Sequence, residues 1–150
     1  MTVKAFPQEI QIIPSSFYTG DINSLHAWHL MEENKQAILV DVRTKEEWDL
    51  VGVPDVSGLG TKMITLPFRT LPHMEINKNF AAELTSAAPD KTAPLFFICK
   101  GGGRSFEAAS VMTAEGYENC YNIYDGFEGN PSVVASESIG WKNILPWRAA

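Results

Sequence analysis

The chain has 150 residues, of which 45% are hydrophobic and 20% charged, and its formal net charge at pH 7 is −6. This length suits one domain with a substantial core. The acidic balance and the lack of a basic stripe argue against a nucleic-acid partner, although a local cationic pocket can still hold a small anion. The longest apolar runs, about six residues, are too short to cross a membrane.

The cysteine content and the first residues of the chain bear on its compartment. Cys99 and Cys120 are the two cysteines, too few for a disulfide framework. The amino-terminal segment contains Pro7 and Glu9 and lacks the apolar core of a signal peptide. We therefore expect a cytoplasmic protein in which a reactive cysteine stays reduced.

Strand and helix patterns alternate along the chain. Residues 10–13 fit either an edge strand or a loop that leans on the core. Asn23 is suited to cap a helix over 24–34, and residues 37–42 have the apolar, β-branched pattern of a central parallel strand. Later segments predict a strand at 63–67, a helix at 77–87, a strand at 94–98, a helix over 105–112 ended by Gly116, and a strand at 119–124. Such alternation favours a parallel sheet with helices on both faces.

Charged residues near the ends of the early strands are the first site candidates. Asp41 and Arg43 flank the end of the strand at 37–42. They either form a structural ion pair or contact the substrate directly. Thr44 and Glu47 match a capping box that opens a short helix. Arg69 follows the strand at 63–67 and either meets an anionic substrate or pairs with a nearby carboxylate.

Histidines and the second cysteine allow further interpretations. His26 and His29 lie three residues apart on the first helix, but no cysteine or carboxylate cluster completes a metal site around them. We therefore predict neither a metal nor a cofactor. Cys120 lies in the last strand pattern, which is typical of an inert buried residue; the alternative is a resolving partner for Cys99.

The most informative segment is Cys99-Lys100-Gly101-Gly102-Gly103-Arg104-Ser105, named here the cradle loop. It follows an apolar strand pattern and leads into a helix. Free N–H groups of such a loop and the positive end of the helix dipole converge on one point, which suits an anion. The same field, with Lys100 and Arg104 nearby, favours a thiolate at Cys99. The segment therefore predicts a nucleophilic cysteine in an anion-binding loop.

The cradle loop resembles that of the rhodanese (thiosulfate sulfurtransferase) family in its single-domain form, which commonly reads Cys-Arg-Ser-Gly-x-Arg-Ser. Gly102, Arg104 and Ser105 match, whereas Lys100 and Gly101 stand where Arg and Ser are usual. Residues 39–48 and 116–127 are similar to two further family segments, in the same order. Residues 51–56 depart from the family's Gly-His-Ile-Pro-Gly-Ala and lack its histidine.

This resemblance implies a rhodanese-like three-layer α/β/α fold around a central, mainly parallel five-stranded sheet. We predict a single domain over residues 1–150, with its core at about 22–129. Trp141 and Trp147 lie close to the carboxyl terminus and indicate that the tail, residues 130–150, folds onto this core.

The spacing from Cys99 to Arg104 bears on the reaction. Phosphatases with a related cysteine loop need five residues in this interval, whereas only Lys100 to Gly103 intervene here. The resemblance implies that the shorter loop suits a sulfane sulfur carried on the cysteine. We expect Cys99 to take sulfur from thiosulfate or another persulfide donor and to pass it to cyanide, a thiol or a small redox protein.

Within this hypothesis Lys100 attracts the anionic donor, the loop N–H groups stabilise the persulfide, and Arg104 braces the loop more than it touches sulfur. The alternatives are a rhodanese-fold binding or sulfide-sensing module, a cysteine-dependent phosphatase or arsenate reductase, and a structural cysteine in an unrelated α/β domain.

Overall fold

The computed structural model describes residues 9–131 and 139–150. Residues 1–8, most of the segment that lacks a signal-peptide core, and residues 132–138 of the predicted tail lie outside it. Its elements, in chain order, are β1 (Ile13–Pro14), β2 (Gly20–Ile22), α1 (Ser24–Glu33), β3 (Ile38–Asp41), α2 (Lys45–Val51), β4 (Val53–Pro54), β5 (Lys62–Thr65), β6 (Arg69–Thr70), β7 (Glu75–Ile76), α3 (Phe80–Ala87), β8 (Leu95–Ile98), α4 (Gly103–Ala114), β9 (Cys120–Ile123), α5 (Trp141–Ile144) and β10 (Trp147–Arg148).

A sheet of six strands in the order β1-β2-β9-β8-β3-β5 forms the centre of the fold. Strands β2, β9, β8, β3 and β5 pair in parallel, which confirms the prediction of a mainly parallel sheet. The sixth strand, β1, adds to β2 in antiparallel direction at one edge, so the predicted number of five strands was one too low. Of the residues 10–13, for which an edge strand and a loop on the core were both open, Ile13 belongs to this edge strand, whereas residues 10–12 are not strand and Ile10 packs against the core.

Side chains alternate between the two faces of the sheet and create the three layers that the sequence predicts. In β3, Val40 points into one core with Phe80 of α3 and Met112 of α4. Leu39, its neighbour, points into a second core with Met31 of α1 and Trp141 of α5. Both faces of β3 are fully buried, as expected for a central strand of a parallel sheet.

Local signals explain where the helices begin. The Asn23 side chain accepts a hydrogen bond from the His26 N–H and caps α1, and Thr44 and Glu47 form the predicted capping box of α2. Two predicted starts were wrong by two or three residues: α4 begins at Gly103 and α3 at Phe80. No helix in the described residues combines the length and apolarity that a membrane crossing requires.

The described part of the tail packs against the body of the protein. Trp141 is fully buried and contacts Trp28 edge to face, with ring centroids 5.8 Å apart. Further on, β10 pairs with β4 in antiparallel direction, and Lys142 lies over the Trp147 ring. The tail therefore reaches the edge of the sheet at which the strands β3 and β8 end.

Candidate active site

The cradle loop begins where β8 ends and leads directly into α4. Its turn depends on Gly102, which has a φ of +103°. A Cβ atom at this position would lie 2.6 Å from the Tyr124 carbonyl oxygen, so both the backbone angle and the close approach require glycine. The sequence thus places Cys99 at the carboxyl edge of a parallel sheet, where ligands of α/β folds bind.

Cys99 Sγ is surrounded by hydrogen-bonding groups of the loop. The Gly102 N–H donates to it over 3.0 Å, and Ser105 Oγ lies 3.2 Å away. The N–H groups of Gly103 and Arg104, in the first turn of α4, meet no acceptor in residues 9–131 and 139–150. The loop therefore offers donors to a negatively charged sulfur at or beyond Sγ.

A second turn supports the loop from behind. The Phe127 N–H donates to the Cys99 carbonyl oxygen over 2.8 Å, and the Glu128 N–H donates to the Lys100 carbonyl oxygen over 3.1 Å. The backbone N–H of Trp141 in the tail in turn donates to the Gly126 carbonyl oxygen over 2.9 Å. The tail thus supports the turn that supports the cradle loop.

Arg104 is anchored to α2 by two hydrogen bonds from its guanidinium to Glu47. The Nη1–Oε1 and Nη2–Oε2 distances are 2.6 and 3.0 Å, and both side chains are largely buried. Burial by itself would raise the pKa of Glu47, but its bonds with Arg104 and Thr44 outweigh that effect and lower the pKa to about 2. Arg104 therefore braces the loop through a fixed carboxylate.

This ion pair predicts a specific acid sensitivity. Because the pKa of Glu47 falls from 4.5 to about 2 on folding, the carboxylate stabilises the fold above about pH 4.5 and loses that effect as the pH drops toward 2. We expect Glu47→Gln to lower the free energy of unfolding by about 1–2 kcal/mol at neutral pH and by much less near pH 2. Urea unfolding at a series of pH values measures the difference.

Glu46→Gln is the matched control, since Glu46 lies on the same helix and is exposed. Its unfolding free energy should stay within about 0.5 kcal/mol of the parent protein at each pH. A Glu47→Gln deficit that is the same at neutral and acidic pH would contradict the pairing described here.

Arg69 is engaged by a carboxylate of α4. Its Nε and Nη2 atoms lie 3.0 and 2.6 Å from the two carboxylate oxygens of Glu107, and Nη1 donates to the Met74 carbonyl oxygen. The structure therefore places Arg69 in the paired arrangement. Both members of the pair lie near the loop, and Glu107 lines the opening above Cys99.

Asp41 and Arg43 form an ion pair with no exposed surface. Arg43 Nη2 lies 2.6 Å from Asp41 Oδ2 and 2.9 Å from the Gly52 carbonyl oxygen, and the guanidinium stacks over the Phe127 ring at 4.2 Å. These contacts favour the structural interpretation, because the pair joins β3 to the turn that supports the cradle loop.

Cys120 is fully buried in β9, and burial raises the pKa of its thiol to about 11. It pairs with Leu95, four residues before Cys99 on β8. A rise of about 3.3 Å per residue puts the two cysteines roughly 13 Å apart along the sheet, well beyond the reach of a disulfide. The alternative of a resolving cysteine is therefore wrong.

The opening above Cys99 is a shallow depression of about 550 Å³. It is lined by residues of the loop, of α4 and of the segment after β9, namely Cys99, Lys100, Gly101, Gly103, Arg104, Glu107, Gly129 and Pro131. Two cationic side chains, Lys100 and Arg104, line this opening. Arg104 is paired with Glu47, whereas no carboxylate in the described part of the chain lies within ion-pair distance of Lys100.

Sequence reasoning missed several contributors to this site. Glu47 was identified as a helix-capping residue, but its bond to Arg104 joins residues far apart in the chain. Glu107 and Asn122, which contact Arg69 and Ser105, were not singled out. The alternation of β9 could have indicated that Asn122 is a polar residue on a buried face.

Comparison with known proteins gives one family match, the STR4 middle domain, over residues 20–150. An uncharacterized protein of Rickettsia rickettsii is 44% identical over 130 residues, which are 85% of this chain and 96% of that protein. The crystal structure of Rv0390 from M. tuberculosis is 40% identical, with a TM-score of 0.74, and the match covers 89% of this chain and 99% of that one.

Two more distant relatives have names that refer to a rhodanese-like domain or to a sulfurtransferase activity. The chloroplastic rhodanese-like domain-containing protein 4 of Arabidopsis thaliana is 28% identical over 85% of this chain and 25% of that protein. The thiosulfate:glutathione sulfurtransferase of Saccharomyces cerevisiae is 29% identical over 63% of this chain and 64% of that protein. From its match over residues 20–150 and its rhodanese-like relatives, we conclude that the chain belongs to the STR4 middle-domain family of rhodanese-like proteins.

Proposed function

We propose that the protein is a sulfurtransferase that carries a sulfane sulfur on Cys99. The observation that supports this most strongly is the Gly102 N–H directed at Cys99 Sγ over 3.0 Å, at the base of an open depression. The similarity to a thiosulfate:glutathione sulfurtransferase supports the same class of reaction.

The reaction has two displacement steps. The Cys99 thiolate attacks the outer sulfur of thiosulfate or of another persulfide donor; a new S–S bond forms, and the old one breaks with its electron pair on the leaving sulfite or thiolate. An acceptor thiolate or cyanide then attacks the outer sulfur of the Cys99 persulfide and releases the Cys99 thiolate. The N–H groups of Gly103 and Arg104, which have no acceptor among the described residues, stabilise the charge on the outer sulfur.

Intact-mass measurement tests this proposal directly. After incubation with thiosulfate we expect a gain of one sulfur atom that maps to Cys99, and added cyanide should remove it with formation of thiocyanate. A protein that alkylates readily at Cys99 but gains no sulfur from thiosulfate or from an alkyl persulfide would favour the binding or sensing module instead.

Lys100 is expected to act on donor binding. Arg104 and Arg69 are neutralised by Glu47 and Glu107, so the exposed Lys100 supplies the attraction for an anionic donor. We expect Lys100→Gln to raise the KM for thiosulfate roughly 3- to 10-fold and to change kcat less, in steady-state assays at low ionic strength. Lys91→Gln removes a charge at the opposite end of β8 and serves as the control. An equal effect of the two variants would contradict a local role for Lys100.

A further inference from the structure

A chain of hydrogen bonds leads from Cys99 into the interior, away from the opening. Ser105 Oγ lies 3.2 Å from Cys99 Sγ and 2.6 Å from Asn122 Oδ1. Asn122 Nδ2 donates over 3.0 Å to Asp21 Oδ1, which also accepts a 2.6 Å bond from the Tyr18 hydroxyl. Ser105, Asn122 and Tyr18 are buried. The displacement steps described above assign no role to Asn122, Asp21 or Tyr18.

The donors and acceptors along this chain have a defined direction. Asn122 donates from Nδ2 to Asp21 Oδ1, so its carbonyl Oδ1 is the atom that faces Ser105. Because that carbonyl only accepts, the single hydroxyl proton of Ser105 points at Asn122. Burial and the bond to Asp21 raise the pKa of Tyr18, so its phenol stays protonated and continues to donate to Asp21.

This direction determines what Ser105 offers to Cys99. With its proton engaged by Asn122, the Ser105 oxygen presents lone pairs to Sγ and accepts the S–H of the Cys99 thiol. A thiolate has no proton to give, so the same arrangement would set two electron-rich atoms 3.2 Å apart. The thiolate needs the Ser105 hydroxyl to turn and donate to Sγ.

We propose that Asn122 is a positioning residue that turns the Ser105 hydroxyl proton away from Cys99 and thereby opposes ionisation of the thiol. When Cys99 ionises, its proton leaves to solvent through the opening and the Ser105 O–H turns from Asn122 Oδ1 to Sγ. The bond between Ser105 and Asn122 is lost in that step, while the Gly102 N–H remains on Sγ.

Several charged groups surround Cys99 besides this chain. In the described residues they are Lys100 at the opening, Arg104 with Glu47, Arg69 with Glu107, Asp41 with Arg43 at the end of β3, and Asp125 and Glu128 in the turn behind the loop. Asp21 and Tyr18 lie behind Asn122. Asn122→Leu leaves all of these charges in place but also removes the donor to Asp21, so its effect is assigned to the orientation of Ser105 by repeating it without the Ser105 hydroxyl.

The pH dependence of Cys99 alkylation by iodoacetamide, in a Cys120→Ala background, tests this proposal without reference to sulfur transfer. We expect Asn122→Leu to move the midpoint of the alkylation profile to lower pH by about 0.5 to 1 unit, the effect of releasing one neutral hydrogen bond. In a Ser105→Ala background the same substitution should move the midpoint by less than about 0.2 unit.

Asn119→Leu is the matched control, because it makes the same chemical change at the residue just before β9 begins, away from Ser105. Its alkylation profile should coincide with that of the parent. If Asn122→Leu fails to fold, Asn122→Ala removes the same acceptor without adding bulk. An unchanged or higher midpoint in the folded variant, or an equal shift when Ser105 is absent, overturns the proposal.

Discussion

Replacement of Cys99 by serine is expected to reduce sulfur transfer by at least about 1,000-fold, because the variant loses its nucleophile. A serine hydroxyl is not ionised at neutral pH and forms no stable bond to a sulfane sulfur. The Gly102 N–H that donates to Cys99 Sγ would then face a neutral oxygen. Intact mass after incubation with thiosulfate and the rate of thiocyanate formation both measure the loss.

Cys120→Ala is the matched control for this experiment, since it removes the other cysteine from a buried position far from the opening. We expect it to lower stability by about 1 kcal/mol and to leave transfer per folded molecule within about 2-fold of the parent. Substantial turnover by folded Cys99→Ser, or loss of sulfur uptake in Cys120→Ala, would contradict the assignment of Cys99 as the sulfur carrier.

The second large effect is expected at Gly126, in the turn that supports the cradle loop. This residue has a φ of +65°, and a Cβ atom placed on it would collide with the Lys100 carbonyl oxygen and lie 2.7 Å from the Gly101 nitrogen. Both are backbone atoms, so the loop itself must move. We expect Gly126→Ala to lower the free energy of unfolding by about 2–4 kcal/mol and the transfer rate of folded protein by at least about 10-fold.

Gly60→Ala separates the cost of the left-handed backbone angle from the cost of the collision with the cradle loop. Gly60 has a nearly identical φ of +69°, but a Cβ atom there would meet nothing within 4 Å. We expect this control to lose only about 1 kcal/mol, the cost of the left-handed backbone, and to keep its transfer rate. Urea unfolding and initial rates measure both variants. Equal losses at the two glycines would show that contact with the cradle loop is unimportant.

Local patterns in the sequence were sufficient to predict much of this fold. Three features were visible as short-range signals. They are the strand β3, the capping box of Thr44 and Glu47, and the succession of a strand, the cradle loop and a helix around Cys99. The short strand β2 was missed because only three residues, Gly20–Ile22, take part. Their strand geometry depends on pairing with β9, about one hundred residues later, and no local propensity reveals such a partner.

The partners of the charged residues were harder to predict than their positions. Arg104 and Arg69 could be singled out from their positions in the chain, but the carboxylates that neutralise them, Glu47 and Glu107, come from other elements. The Ser105–Asn122 contact likewise joins α4 to β9. Such pairings depend on how helices lie on the sheet, and charge patterns within one segment do not encode that arrangement.

The distance between Cys99 and Cys120 has a consequence for oxidative damage. If peroxide converts Cys99 to a sulfenic acid, the only other cysteine of the chain cannot reach it to form a protective disulfide. Rescue therefore depends on a thiol from outside, which would approach through the depression that Cys99 lines. Such a thiol would recover the cysteine through a mixed disulfide; without one, further oxidation to the sulfinic acid would remove the thiolate that the proposed sulfur transfer needs.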